Sequence, residues 1–386
     1  MAIPLAYNLR NLVVRRTTTL MTALGIALTV AVLLAVLALV NGLRVTLASS
    51  GDPRHVLITR KGASSELTSL LTRQQFQDLK FKPGIATGSD GQPMASLELI
   101  TIISLEAEGS GTGDNVTIRG LMPAGIAMRH NVGLIAGRWY RRGVNEAVVG
   151  KALAEQYPAA RLGKTLRMGR SDWTIVGVMD AARGAQGSEI WGDIEQVSAD
   201  WNRVQYMSSA LVEATDPNAA KALADSINND TRLDAGAELE QDYFARQTQS
   251  ATPIQYTGIF VAIIMAVGSS FAAMNTMYAA VARRAREIGT LRVLGFSKLS
   301  ILTSFFVESV LLAGLGGALG CLLVLPLNGA TTEIGANFSQ LAFAFHVTPG
   351  SMVAGIVFAV TLGGVGGLFP AAAAAKKEIL TALREV

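Results

Sequence analysis

Chemistry needs particular residues at particular spacings, and this sequence offers few such sets. Gly163-Lys164-Thr165 has the ending of a phosphate-cradling loop. The backbone N–H groups of that loop wrap phosphates only when a glycine stands five residues before the Gly-Lys pair. Position 158 is proline, so no nucleotide site is expected there. His55, His130 and His346 lie far apart with no thiol beside them, and the single cysteine, Cys321, excludes an internal disulfide and a multi-cysteine metal site. No nucleophile elbow and no His-based acid and base pair stands out among the remaining residues. The expectation is a chain without catalytic residues and without a metal.

The informative stretch is Ala282 to Lys298, which packs Arg283, Arg284, Arg286, Glu287 and Arg292 among Ile288, Leu291 and Leu294. The three apolar residues recur every third position while the charges largely occupy the other faces, so the stretch reads as a short amphipathic helix at a membrane surface. Such a helix can simply grip anionic headgroups. Its acid and its glycines argue for something more specific: Gly289 would expose backbone, and Gly295 sits where a helix would stop.

Those residues must be held by their flanking elements, and composition says what these are. The chain has 386 residues, 50% hydrophobic and 16% charged, and its mean hydropathy is +0.37. Soluble domains carry about 25% charged residues, so much of this chain is expected to lie in lipid. The formal net charge of +4 would suggest nucleic acid only if the basic residues were spread over one surface, which they are not.

Stretches without charge, the third broken by the single acid Glu308, mark four transmembrane helices at 17–43, 253–282, 299–327 and 350–375, each exceeding the roughly 20 residues that cross a bilayer. The first is too long for the apolar region of a cleaved signal peptide and is expected to be retained. Tyr256 and Tyr278 stand about 33 Å apart along the second helix, one bilayer thickness. Lys and Arg stay on the cytoplasmic side. Among the short segments that flank the helices they fall in 1–16 (Arg10, Arg15, Arg16), in 283–298, and in 376–386 (Lys376, Lys377, Arg384), 11 of the 33, while the short loop 328–349 has none and the rest lie in the long region 44–250. Both termini are therefore expected in the cytoplasm, with 44–250 and 328–349 outside it. The region 44–250 carries all four tryptophans and β-branched runs such as Ala95 to Leu105, Val116 to Arg119, Glu146 to Val149 and Thr174 to Val178, with helical patterns at 72–80, 151–156 and 218–228. The fold class is thus a membrane protein of four transmembrane α-helices with a large α+β extracytoplasmic domain inserted between helices 1 and 2.

Within the spans, Glu308 is an acid where a charge costs roughly 2.5–3.5 kcal/mol, so a partner is expected, with Thr276 and Asn275 as candidates and a structural or coupling role preferred over proton transport. Gly316 and Gly320, and Gly363 and Gly367, form small-residue pairs that let helices approach closely. The sequence leaves open whether they pack one subunit or seam a dimer. Core packing is expected for Cys321 and for the tryptophans.

The Ala282–Lys298 stretch resembles the FtsX-type permeases of the MacB, LolC and LolE class of ABC transporters. Their second span is followed by Arg-Arg-x-x-Glu-Ile-Gly-x-Leu-Arg-Ala-x-Gly, the coupling helix that docks on an ATPase. Here Arg283-Arg284, Glu287-Ile288-Gly289, Leu291-Arg292 and Gly295 match, with Val293 in place of Ala. Glu308 followed by Gly316-Gly317 and Gly320 resembles the family's third span. Pro370-Ala371, Ala374-Ala375 and Ala382-Leu383-Arg384 resemble its closing motif, although Ala372 and Ala373 replace a basic pair. The outer region is similar to a MacB-like periplasmic core domain through Gly137-Arg138-Trp139-Tyr140, Glu146 to Gly150, Leu162-Gly163-Lys164 and Thr174 to Val178.

The resemblance implies a permease subunit of the mechanotransmission type. It would be an inner-membrane homodimer, or a pair with a homologous permease, working with a cytoplasmic ABC ATPase that holds ATP and Mg. An adaptor and an outer-membrane channel would be further partners, besides membrane lipids, and no nucleic acid. The implied activity is export or extraction of an amphipathic substrate such as a lipid, lipoprotein, peptide or drug-like compound. The alternative is an FtsX-like signal transducer that activates a cell-wall hydrolase and transports nothing.

Overall fold

The computed structural model describes residues 16–106, 113–181, 184–248, 252–336 and 339–376, with Arg10 and Val14 besides. Arg15, Lys377 and Ala382-Leu383-Arg384 lie outside the described residues. The chain divides into a helical unit (1–42, 251–330 and 345–386) and an α/β unit (43–250 and 331–344).

Four helices are long and apolar enough to cross a membrane. They include Arg16–Ala48, Thr252–Arg283, Lys298–Val324 and Pro349–Lys376. Small residues set how closely they pack. A Cβ on Gly316 would stand 2.8 Å from Ile26 Cβ, and one on Gly320 2.8 Å from the Ala27 carbonyl oxygen, so the third helix lies directly on the first. A Cβ on Gly363 would meet Ala313 Cβ at 2.2 Å, and Gly367 abuts the Ser309 side chain, so the fourth helix lies on the third. Both glycine pairs thus pack helices of one chain. Hydroxyls tie the first helix to the second, with Thr29 Oγ1 2.7 Å from Ser269 Oγ and Thr22 donating to Thr276 at 3.3 Å. Cys321 is buried among apolar side chains.

The α/β unit is built on a ten-stranded sheet. In chain order the strands of the unit are β1 His55–Arg60, β2 Leu71–Thr72, β3 Ala95–Glu106, β4 Gly113–Leu121, β5 Gly133–Gly137, β6 Glu146–Gly150, β7 Thr165–Met168, β8 Ser171–Asp180, β9 Glu189–Asp193, β10 Tyr206–Met207, β11 Ser209–Glu213, β12 Ala235–Leu239, β13 Thr331–Ala336 and β14 Ser339–Ala344. The sheet runs β12-β1-β11-β3-β4-β9-β6-β8-β5, with β7 paired to β8. Pairing is antiparallel except β4 with β9 and β6 with β8. Strands β6, β9 and β11 are buried along their whole length, as their runs of β-branched and apolar residues require.

Local chemistry fixes the helices of this unit. Asp216 caps the helix Pro217–Asn229 by accepting from the Asn218 and Ala219 N–H groups, and Pro217 starts it. Its buried residues Ala220, Leu223, Ala224 and Ile227 form one stripe against the sheet. Thr72 and Gln75 close a capping box on Arg73–Leu79. Trp173 and Trp191 are fully buried, and Trp139 stacks on Trp191 at 6.1 Å, so these rings are core.

The Gly137 to Glu146 stretch has a structural reason for its residue types. Gly137 has φ +74° and a Cβ there would stand 2.2 Å from the Val176 carbonyl oxygen, which excludes other residues. Arg138 then reaches Glu146 through both Nη atoms, at 2.7 and 2.6 Å. Between the third and fourth long helices, the sequence reading gave only a loop. The chain there forms the hairpin β13-β14, and β14 lies against β4 and the turn Ala185–Ser188 of the α/β unit.

Candidate functional site

The second long helix ends at Arg283, and a new helix, Ala285–Val293, begins after one residue out of helical geometry, Arg284, with φ −104° and ψ 18°. The chain changes direction at Arg284, and its side chain turns inward. It is 4% exposed. Its Nη1 donates to Glu308 Oε2 of the third long helix at 3.0 Å, and its Nε to Glu287 Oε2 at 3.0 Å. The guanidinium also lies 5.2 Å from the Phe305 ring. A cation and an acid buried together in an apolar setting are costly to separate, because the survivor has neither water nor a partner.

This geometry corrects two expectations. Glu308 is paired to Arg284 and not to the hydroxyl or amide of the second helix. Thr276 borders the same narrow cavity but donates to the Ala273 carbonyl, and Asn275 is exposed. The amphipathic stripe is also displaced. Ile288 is buried, Leu291 half-buried and Leu294 64% exposed, while Arg284, read as a surface charge, is buried. The spacing argument treated 283–294 as one helix, and the break at Arg284 resets the phase. Gly289 is buried and does not expose backbone. Gly295 follows the helix end with φ +93°, the left-handed geometry that suits glycine.

Ile288 is held in a cluster with Met277, Val281, Ile301, Phe305, Ala371 and Ala374. The small residues of the Pro370 to Ala375 motif therefore make room for the short helix. Arg292 donates to the Phe296 carbonyl at 3.3 Å. The face left open carries Arg283, Arg286, the half-exposed Glu287 carboxylate, Val293 and Leu294. It is a mixed charged and apolar face beside the buried Arg284. Gly163-Lys164, by contrast, ends in a turn before β7, where the Gly163 N–H donates to the Ile175 carbonyl.

Sequence reasoning missed a second polar group, inside the α/β unit. Arg119 (β4) donates to Glu98 (β3) at 2.7 Å, to Glu189 (β9) at 2.8 Å and to Glu66 at 3.1 Å. Arg129 clasps the two oxygens of Glu98 at 2.7 and 2.8 Å. Burial alone would raise the Glu98 carboxyl, but Arg129 and Arg119 outweigh it and hold Glu98 below the usual carboxylate range. The same opposition leaves Glu189 low. The signal was visible as an acid within the apolar run of β3. Among the described residues, no group of three or more His, Cys, Asp or Glu side chains could hold a metal.

Comparison with known proteins gives these units a family. Residues 19–230 match the MacB-like periplasmic core domain, and 259–379 match the FtsX-like permease C-terminal region. A macrolide export ATP-binding/permease protein MacB of Hahella chejuensis is 27% identical over 58% of this chain and 35% of its own length. The MacB of Shewanella sp. (strain ANA-3) is 24% identical over 95% of this chain and 58% of its own length. The chain thus spans about a third to somewhat over half of these curated relatives. Among solved structures, the periplasmic region of MacB from Actinobacillus actinomycetemcomitans is similar at TM-score 0.38 and 14% identity, covering 52% of this chain and 94% of that one. The extracellular domain of the transporter YknZ from Gram-positive bacteria gives TM-score 0.36 and 15% identity, covering 48% and 99%. With more than half of its length matched by the first of the two domain families, the chain belongs to the proteins that join a MacB-like periplasmic core domain to an FtsX-like permease region.

Proposed function

We propose that this chain is the permease subunit of an ATP-driven ABC transporter and that Ala285–Val293, pivoting on Arg284, is the element through which a separate ATPase drives it. The observation that carries the reading is the buried pair between Arg284 and Glu308, which fastens the short helix to the third long helix. A helix fastened this way passes on a push, whereas one held only by lipid contact would slide. The open face with Arg283, Arg286, Glu287, Val293 and Leu294 suits a protein partner, since it is too apolar for water alone and too charged for lipid alone.

In this reading the chain lies in the bacterial inner membrane with both termini in the cytoplasm, pairs with a second copy or a homologous permease, and leaves ATP and Mg to the ATPase. The α/β unit lies outside, where it moves an amphipathic substrate such as a lipid, lipoprotein, peptide or drug-like compound, with an adaptor and an outer-membrane channel as further partners. The test is reconstitution with the ATPase. Arg284→Gln and Glu308→Gln should each lower substrate-stimulated ATP hydrolysis at least tenfold while the complex still assembles. Glu287→Ala with Arg292→Ala should weaken ATPase association itself. If the complex hydrolyses ATP, moves no lipid or peptide and instead activates a cell-wall hydrolase, the FtsX-like signalling reading replaces transport.

A further inference from the structure

The α/β unit contains a cavity of about 290 Å³ bordered by Ser49 to Asp52, His55, Met128 to Asn131 and Glu240. That is near the lower end of the roughly 300–1,000 Å³ typical of small-ligand sites. Its walls are polar, and two of their buried groups lack a hydrogen-bond partner among the described residues: Nε2 of His55 and Nε of Arg129. Both side chains are nearly sealed, at 2% and 4% exposure. Buried polar atoms are almost always satisfied, and both of these belong to side chains that line the one cavity.

The hydrogen bonds around them define what that occupant offers. Glu240 Oε2 accepts from the Asp52 N–H at 3.1 Å and lies 2.7 Å from His55 Nδ1. Against a carboxylate oxygen Nδ1 is the donating ring nitrogen, which leaves Nε2 as the ring atom without a partner. The Nη atoms of Arg129 are taken by Glu98 and the Gly125 carbonyl, and its Nε–H remains as a donor. The cavity therefore calls for a ligand that donates at one end, beside the carboxylates of Asp52 and Glu240, and accepts at the other.

We propose that this cavity binds a small zwitterion, its ammonium group set against the Asp52 and Glu240 carboxylates beside the His55 ring and its oxyanion against Arg129. The site is independent of the coupling role assigned to Arg284. Ser49 follows directly on the first long helix, Arg16–Ala48. Either a soluble zwitterion or a zwitterionic lipid headgroup can supply the ligand.

The test uses the full chain in detergent and in lipid nanodiscs, with phosphoethanolamine as the soluble probe. Calorimetry should show saturable binding, at least tenfold weaker for ethanolamine, which lacks the oxyanion, and for inorganic phosphate, which lacks the ammonium. His55→Asn keeps a donor toward Glu240 but removes Nε2. Ser49→Phe fills the cavity from its exposed rim and leaves every buried charge in place. Each should cut affinity at least tenfold, with the thermal midpoint of Ser49→Phe unchanged as the folding control. In nanodiscs, selective retention of phosphatidylethanolamine over phosphatidylglycerol by the wild type, lost in both variants, would make the lipid headgroup the source. The proposal is overturned if neither phosphoethanolamine nor the lipid binds, which would mean a cavity holding water alone. Binding that both variants leave intact overturns it as well.

Discussion

The helical unit and the α/β unit solve the same problem, burying charge, in opposite ways. In the helical unit one arginine, Arg284, sits at a helix break between Glu308 and Glu287, against the Phe305 ring. In the α/β unit two arginines and three glutamates form a network across three adjacent strands, packed among tryptophans. In the one unit the charge ties a break between two helices to a third helix. In the other it ties β3, β4 and β9 to one another. The contrast teaches that buried charge here secures a single junction in the helical unit and a whole sheet in the α/β unit.

The largest expected effect is a break of the network. Arg119→Met leaves Glu66 and Glu189 without their arginine, while Glu98 keeps Arg129, and uncompensated buried charge costs about 3–5 kcal/mol. All four tryptophans lie in the α/β unit, so their fluorescence on heating reads that unit alone. A midpoint within one degree of wild type would show that the network does not hold the sheet. Next comes Gly363→Val, whose side chain would run into Ala313 and Ser309 and should cost about 1–3 kcal/mol by overpacking. Detergent-phase size exclusion should show a loosened helical unit while the tryptophan transition stays put. A shift in both would dissolve the comparison.

The smallest effect concerns Glu146. Hydrogen bonds from Arg138 and then Arg141 pull its carboxyl from 4.5 down to about 2. A group whose pKa is depressed in the folded state contributes stability above its unfolded value and loses it as the pH falls. The α/β unit should therefore weaken between pH 4.5 and about 2 by an increment that Glu146→Gln lacks. Parallel acid titrations of the two proteins, followed by tryptophan fluorescence, would refute this.

Much of the architecture was legible because it rests on local pattern. Uncharged runs mark the long helices, and β-branched runs bounded by glycine mark β3, β6 and β8 in nearly their observed places. The helix Pro217–Asn229 was readable from its helical pattern at 218–228. What sequence could not supply was pairing at a distance. Arg284 was read as a surface charge because periodicity assumes an unbroken helix, and the partner of Glu308 lies 24 residues away across a chain reversal. His55 and Glu240 are separated by 185 positions, with nothing local to connect them. The acid inside the Ala95 to Leu105 run was the one clue to the network.

The hairpin β13-β14 has a consequence for how the protein is made. Twelve strands of the α/β unit precede the second long helix in the chain, yet its last two follow the third. During synthesis the sheet can pair from β1 to β12, the two neighbours at one edge, long before residue 344 leaves the ribosome. The unit is therefore finished in two instalments. The hairpin arrives only after three of the four long helices have been made, as the last part of the unit to be synthesised.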